Sequence, residues 1–137
     1  MAGARRKARA LILQALYEID TTGHEMEGVV THLLTDSGLP EEGAAFVCEL
    51  VSGVIQNREG IDHNIENFAP TWPIKQIPVV DRNISRLAIF EILLNNKSPV
   101  KVAINEAVEL AKKFGSDNSS KFVNGVLGSV STLTGKQ

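Results

Sequence analysis

Three prolines fall within nine residues of the segment APTWPIKQIP, at Pro70, Pro73 and Pro78. Proline lacks a backbone N–H and pushes the residue before it out of helical geometry, so no continuous helix crosses this stretch. On both sides the apolar residues recur with helical period. The spacing predicts an all-α bundle of six to seven helices in two halves, about residues 4–68 and 79–134, within one domain spanning 1–137. The segment between them is too short and too apolar for a flexible linker. It has room for one helical turn, with Trp72 plugging an edge of the core. A chain of 137 residues is long enough to bury such a core.

In the first half, Ala8, Leu11, Ile12, Ala15, Leu16 and Ile19 form one stripe of a helix over about 4–20, ended by Thr21, Thr22 and Gly23. Arg6, Ala10, Leu13 and Tyr17 share a second face away from that stripe. Met26, Val29, Val30, Leu33 and Leu34 mark a second helix closed by Gly38. Pro40, Glu41 and Glu42 suit a first turn. They open a third stripe of Val47, Leu50, Val51, Val54 and Ile55, which can run on through Ile61, Ile65 and Phe68. Cys48 adjoins this stripe as a small buried thiol.

In the second half, Val80, Ile84, Leu87, Ala88 and Leu94 give one stripe, and Ile89, Phe90 and Leu93 another. A helix apolar on two sides is central. Ser98 and Pro99 read as N-cap and first-turn proline. They precede a stripe of Val100, Ala103, Ile104, Ala107, Val108 and Ala111 that stops at Gly115. Asp117 or Ser119 can cap the last helix, lined by Val123, Val126, Leu127, Val130 and Leu133 and fraying at Gly135.

Several function classes find no support. Cys48 is the only cysteine, which rules out an intramolecular disulfide and fits a reducing compartment. His24, His32 and His63 lack metal-ligand spacing, and Asp62–His63 reads as a solvated pair. There is no strand-borne phosphate loop and no nucleophile beside a base. Glu106 and Glu109, three apart, read as salt-bridged surface carboxylates. No apolar run approaches the ~20 residues of a membrane span. Catalytic, metal and cofactor sites are therefore assigned to no residue, and a membrane partner is not expected.

Binding is better supported. The net charge is −2, yet Arg5, Arg6, Lys7 and Arg9 place four cations in five residues on an otherwise acidic chain. Such a tip suits an anionic partner, although a solvated helix start or an Arg-rich targeting leader would share its composition. Single-stranded nucleic acid is held by cations along its backbone and by aromatics or amides at its bases. Two places supply these types: the first helix, with the four cations, Gln14 and Tyr17, and the start of the last helix, with Lys121, Phe122 and Asn124. A helix N-terminus adds free N–H groups for phosphate. Core packing is the alternative role for Phe122.

Three stretches carry a family resemblance. RRKARALILQALYE (5–18), VVDRNISRLAIFEIL (79–93) and PVKVAINEAVELAKKFGSDNSSKFVNGVL (99–127) closely resemble the transcription antitermination factor NusB family, while residues 21–72 match mainly in pattern. The resemblance implies two helical subdomains, no catalysis and a cytoplasmic role. It implies binding of boxA RNA together with NusE, a small-subunit ribosomal protein, in a complex with RNA polymerase and other Nus factors that favours read-through of ribosomal RNA operons. By position, the RNA site would comprise Arg5, Arg6, Lys7, Arg9, Gln14, Tyr17, Lys121, Phe122 and Asn124. NusE would meet Val80, Asp81 and Arg82. The family often carries an acid at the position of Asn118, and an amide there can donate to phosphate where an acid would repel it. Two alternatives stand beside this expectation: a NusB-like module of a ribosomal RNA methyltransferase, and a protein-interaction module that binds no RNA. A homodimer through the face with Leu13 and Tyr17 is a further expectation.

Overall fold

A computed structural model describes residues 2–95 and 97–134, and every regular element among them is helical. The order is α1 (Ala2–Thr22), α2 (Met26–Leu34), α3 (Glu41–Gln56), α4 (Arg58–Phe68), α5 (Val79–Ile89), α6 (Val100–Phe114) and α7 (Ser119–Ser131). The proline segment holds a single 3-10 turn at Ile74–Gln76, and a π-helical stretch, Phe90–Asn95, prolongs α5. Gly135, the expected fraying point, lies outside the described residues.

α5 is the hub, packing against α1, α3, α4, α6 and α7. Every residue from Asn83 to Phe90 is buried, which matches the two-sided apolar pattern. The charged and amide side chains of this helix are turned away from solvent, Arg82 only partly, and they tie its neighbours to it. Arg86 makes a two-point bond to Asp62 of α4 (2.7 and 2.9 Å) and another to Asp20 of α1 (3.0 Å). Arg82 and Asn83 also donate to Asp20, at 2.8 and 2.9 Å. Asp62 is thus a core-bracing residue, not a solvated partner of His63. In the π-helical stretch, Glu91 meets Arg9 of α1 at 2.8 and 3.0 Å with both side chains almost fully buried.

Other expectations are corrected by local geometry. Leu13 is buried because α1 packs on α2, α3 and α5 at once, which demands a wider apolar arc than one stripe. Of the two residues expected on a dimer face, Tyr17 is the exposed one. Trp72 is 48% exposed, and Ile77 plugs the core edge instead. Cys48 is exposed, one position past buried Val47 on α3 and about 100° around the helix from it. The third helix does not run through to Phe68, because Asn57 (φ −111°, ψ 13°) interrupts it. Leu94 is exposed because the wider π-helical turn shifts the register of side chains after Ile92.

The caps differ as well. Gly23 (φ 76°) closes α1, whereas Gly38 (φ 75°) lies four residues past Leu34 and shapes the turn into α3. Pro40 and Pro99 each stand one residue before their helix, and Ser98 accepts a hydrogen bond from Arg9 without capping α6. Gly115 is not left-handed (φ −97°). A Cβ there would run into Ser119, so the glycine is needed for space.

Candidate nucleic-acid interface

The N-terminal part of α1 lies beside α6, and the groove between them has a volume of about 600 Å³. Arg6, Lys7, Glu106, Glu109, Lys112 and Lys113 supply its charged lining. A second groove, about 380 Å³, runs between α6 and α7 and is lined by Asn105, Glu109, Lys112, Ser120, Lys121 and Asn124. Glu109 and Lys112 line both, so the two grooves join across α6 into one ledge. The structure thus brings Arg6 and Lys7 from one end of the sequence onto the same surface as Lys121 and Asn124 from the other.

Not every expected residue is there. Arg9 drops out: its guanidinium is locked onto Glu91 and Ser98 in the core, where an RNA phosphate cannot reach it. Arg5 is half-buried, with its guanidinium 4.0 Å from the centre of the Phe46 ring. Phe122 is half-buried against the core and lines neither groove. Asn118 is exposed immediately before α7; its carbonyl accepts from the Phe122 N–H at 3.0 Å, and its side chain makes no capping bond. That frees the amide at a helix N-terminus.

Arg6 is exposed but not free. It grips Glu106 through Nε (3.1 Å) and Nη2 (2.8 Å). The hydrogen bond from Arg6 holds the Glu106 carboxyl below the usual carboxylate range; burial opposes this and the charges of Arg6 and Arg9 add to it. Lys112 pairs more loosely with Glu109, at 3.4 Å with both side chains largely in solvent.

Gln14 and Tyr17 belong elsewhere. With Leu13, Leu33, Val80 and Phe114 they line a third hollow of about 600 Å³, where α1, α2, α5 and α6 meet. Its walls are mainly apolar, and Tyr17 and Phe114 are 44% and 37% exposed. Val80 therefore opens onto the same hollow as Tyr17. Asp81 and Arg82 do not behave as surface residues. Asp81 is buried and accepts a 2.6 Å bond from Ser119 Oγ, which in turn accepts from the Ser116 N–H at 2.8 Å. Arg82 is spent on Asp20 and on the carbonyl of Ile77. Both side chains are engaged within the fold, and of the three residues only Val80 opens onto the hollow.

Sequence reasoning missed Lys112, Lys113 and Phe114 as surface candidates. The signal was present, since Lys-Lys-Phe at the end of α6 repeats the cation-and-aromatic composition of the other two sets. A lysine pair also suits a helix C-terminus electrostatically, so in sequence the run is indistinguishable from an ordinary helix end. Among the described residues no group of acids, histidines or cysteines could hold a metal ion, and no helix is long and apolar enough to cross a membrane.

Fold and ledge together define a small all-helical binding domain with a cationic face and a neighbouring apolar hollow. The chain belongs to the NusB family, whose pattern matches residues 6–132. It is 52% identical over 131 residues to the transcription antitermination protein NusB of Dehalococcoides mccartyi, covering 96% of this chain and 92% of that one. Among solved structures it is similar to T. maritima NusB, with a TM-score of 0.87, 32% identity and coverage of 93% and 90%. It is also similar to a NusB solved with NusE and double-stranded RNA, with a TM-score of 0.88, 25% identity and coverage of 97% and 99%.

Proposed function

We propose that this chain is a transcription antitermination factor that binds boxA-containing RNA together with NusE, in the cytoplasm and without catalytic activity of its own. The observation that carries the reading is the joined ledge of α1, α6 and α7. It gathers Arg6, Lys7, Lys112, Lys113, Lys121 and Asn124 on one face, with the Asn118 amide at the start of α7. Those are the residue types that hold a single-stranded backbone and its base edges. Family membership and a relative named as an antitermination protein along 92% of its length favour this reading over a methyltransferase module.

NusE would dock at the apolar hollow, with Tyr17, Phe114 and Val80 as its contact residues. Gln14 and Tyr17 accordingly move from the RNA set to the protein set. RNA polymerase and the other Nus factors would join through the assembled complex, and the helical halves before and after the proline segment would act as one domain. Calorimetric titration with NusE tests the division. Tyr17→Asp, which places a charge in the hollow, should weaken NusE binding at least tenfold while leaving RNA affinity of the free protein within about twofold. Loss of RNA affinity with NusE binding intact would reverse the assignment.

A further inference from the structure

Arg6 and Glu106 form a pair whose two members have very different surroundings. The Arg6 side chain is 66% exposed and the Glu106 side chain only 15%. Glu106 forms part of the lining of the α1–α6 groove, and Arg6 lies across it with Nε and one edge of Nη2 committed to the carboxylate. The guanidinium has five N–H donors, so Nη1 and the outer edge of Nη2 remain.

A phosphate that took the Nε edge would displace the two-point bond to Glu106 and sit beside its carboxylate, which is unfavourable. Phosphate therefore meets Arg6 at its outer edge, in the orientation that the fork imposes. The carboxylate also cancels the Arg6 charge as seen from a distance, so a loosely held polyanion gains little from it. Glu109, which lines the same groove, differs: it is exposed, its ion pair among the described residues is the longer one with exposed Lys112, and its charge acts on Arg6 less than that of Glu106.

We infer that Glu106 is a specificity-determining residue: by orienting and neutralising Arg6, it suppresses sequence-independent RNA binding and reserves Arg6 for an RNA seated along the whole ledge. This rests on the RNA-binding reading proposed above, and it assigns to Glu106 a role beyond that of a surface salt bridge.

The test compares a boxA-containing RNA with oligouridylate of equal length, by fluorescence anisotropy at several salt concentrations. Glu106→Gln preserves side-chain shape and frees Arg6. Affinity for oligouridylate should rise about threefold, with its salt slope steeper by roughly 0.7, the increment for one further phosphate on a single strand. Affinity for the boxA RNA should change less, so the ratio between the two falls. Adding Arg6→Gln to Glu106→Gln should abolish the gain. Glu109→Gln, which alters groove charge equally, should shift both RNAs alike and leave the ratio unchanged. An unchanged ratio in Glu106→Gln, or an equal fall in Glu109→Gln, overturns the inference. A wild-type chain that binds neither RNA overturns the functional reading itself.

Discussion

Arg6 and Arg9 stand three residues apart on α1, and each is held by a glutamate at two points, yet they end in opposite environments. Arg9 and Glu91 are buried together, and removing either leaves the other charged and unpaired in the core. Arg9→Ala should cost about 3–5 kcal/mol in urea unfolding, whereas Arg9→Met with Glu91→Leu should fall near wild-type stability. Both arginines read as free cations in the sequence, because a charge run shows residue type and not which side chains turn inward. The usable clue was Glu91, a charge falling on the stripe of Ile84, Leu87 and Ala88, where only a buried partner could sit beside it. Asp20 poses a related case. Burial raises its pKa, but hydrogen bonds from Arg82 and Asn83 and the charges of Arg86 and Arg82 outweigh that and hold its carboxyl below the ordinary range. A carboxyl with a depressed folded-state pKa stabilises above its unfolded value, near 3.9, and loses that contribution as pH falls through the folded value. Wild type should therefore exceed Asp20→Asn in stability at neutral pH, and the gap in thermal midpoint should close as the pH drops below about 4. A gap that is constant from pH 7 to 2 would contradict this.

At the scale of elements, helix existence was legible and helix junctions were not. The apolar period placed six of the seven helices, including the central one, and carried α4 as a continuation of α3, because burial writes itself directly into the spacing of apolar residues while a break such as Asn57 does not. The junctions depend on packing between distant segments. Gly53 is the clearest instance: it lies inside α3, and a Cβ there would overlap the ring of Phe90 at the start of the π-helical stretch. α3 can approach the end of α5 only through a glycine. Gly53→Ala should destabilise by about 1–3 kcal/mol despite the higher helix propensity of alanine. A thermal melt at or above the wild-type midpoint would show that Phe90 moves aside at little cost. Gly115 does end α6, but the reason for a glycine there is space: it makes room for Ser119, whose bond to Asp81 joins α7 to α5.

At the scale of the whole molecule, the cationic ledge exists only because α6 lies between the chain's two ends. Arg6 and Lys7 precede Lys121 and Asn124 by more than a hundred residues, and Lys112 lines the groove on either side of it. Composition revealed the two outer sets, and family resemblance joined them. The middle set, Lys112 and Lys113, and the separate hollow holding Gln14 and Tyr17 became visible only with the helices packed. If the joined ledge holds the RNA backbone, its cations must set the salt dependence of RNA affinity. The most direct test compares that dependence for wild type and for Lys112→Ala with Lys121→Ala, two exposed side chains whose removal leaves the core untouched. Measured by anisotropy with a boxA-containing single-stranded RNA, the double variant should bind more weakly, with a salt slope shallower by roughly 1.4, or about 0.7 for each phosphate that is no longer neutralised. Equal affinity and an unchanged slope in a variant that melts like wild type would contradict the account.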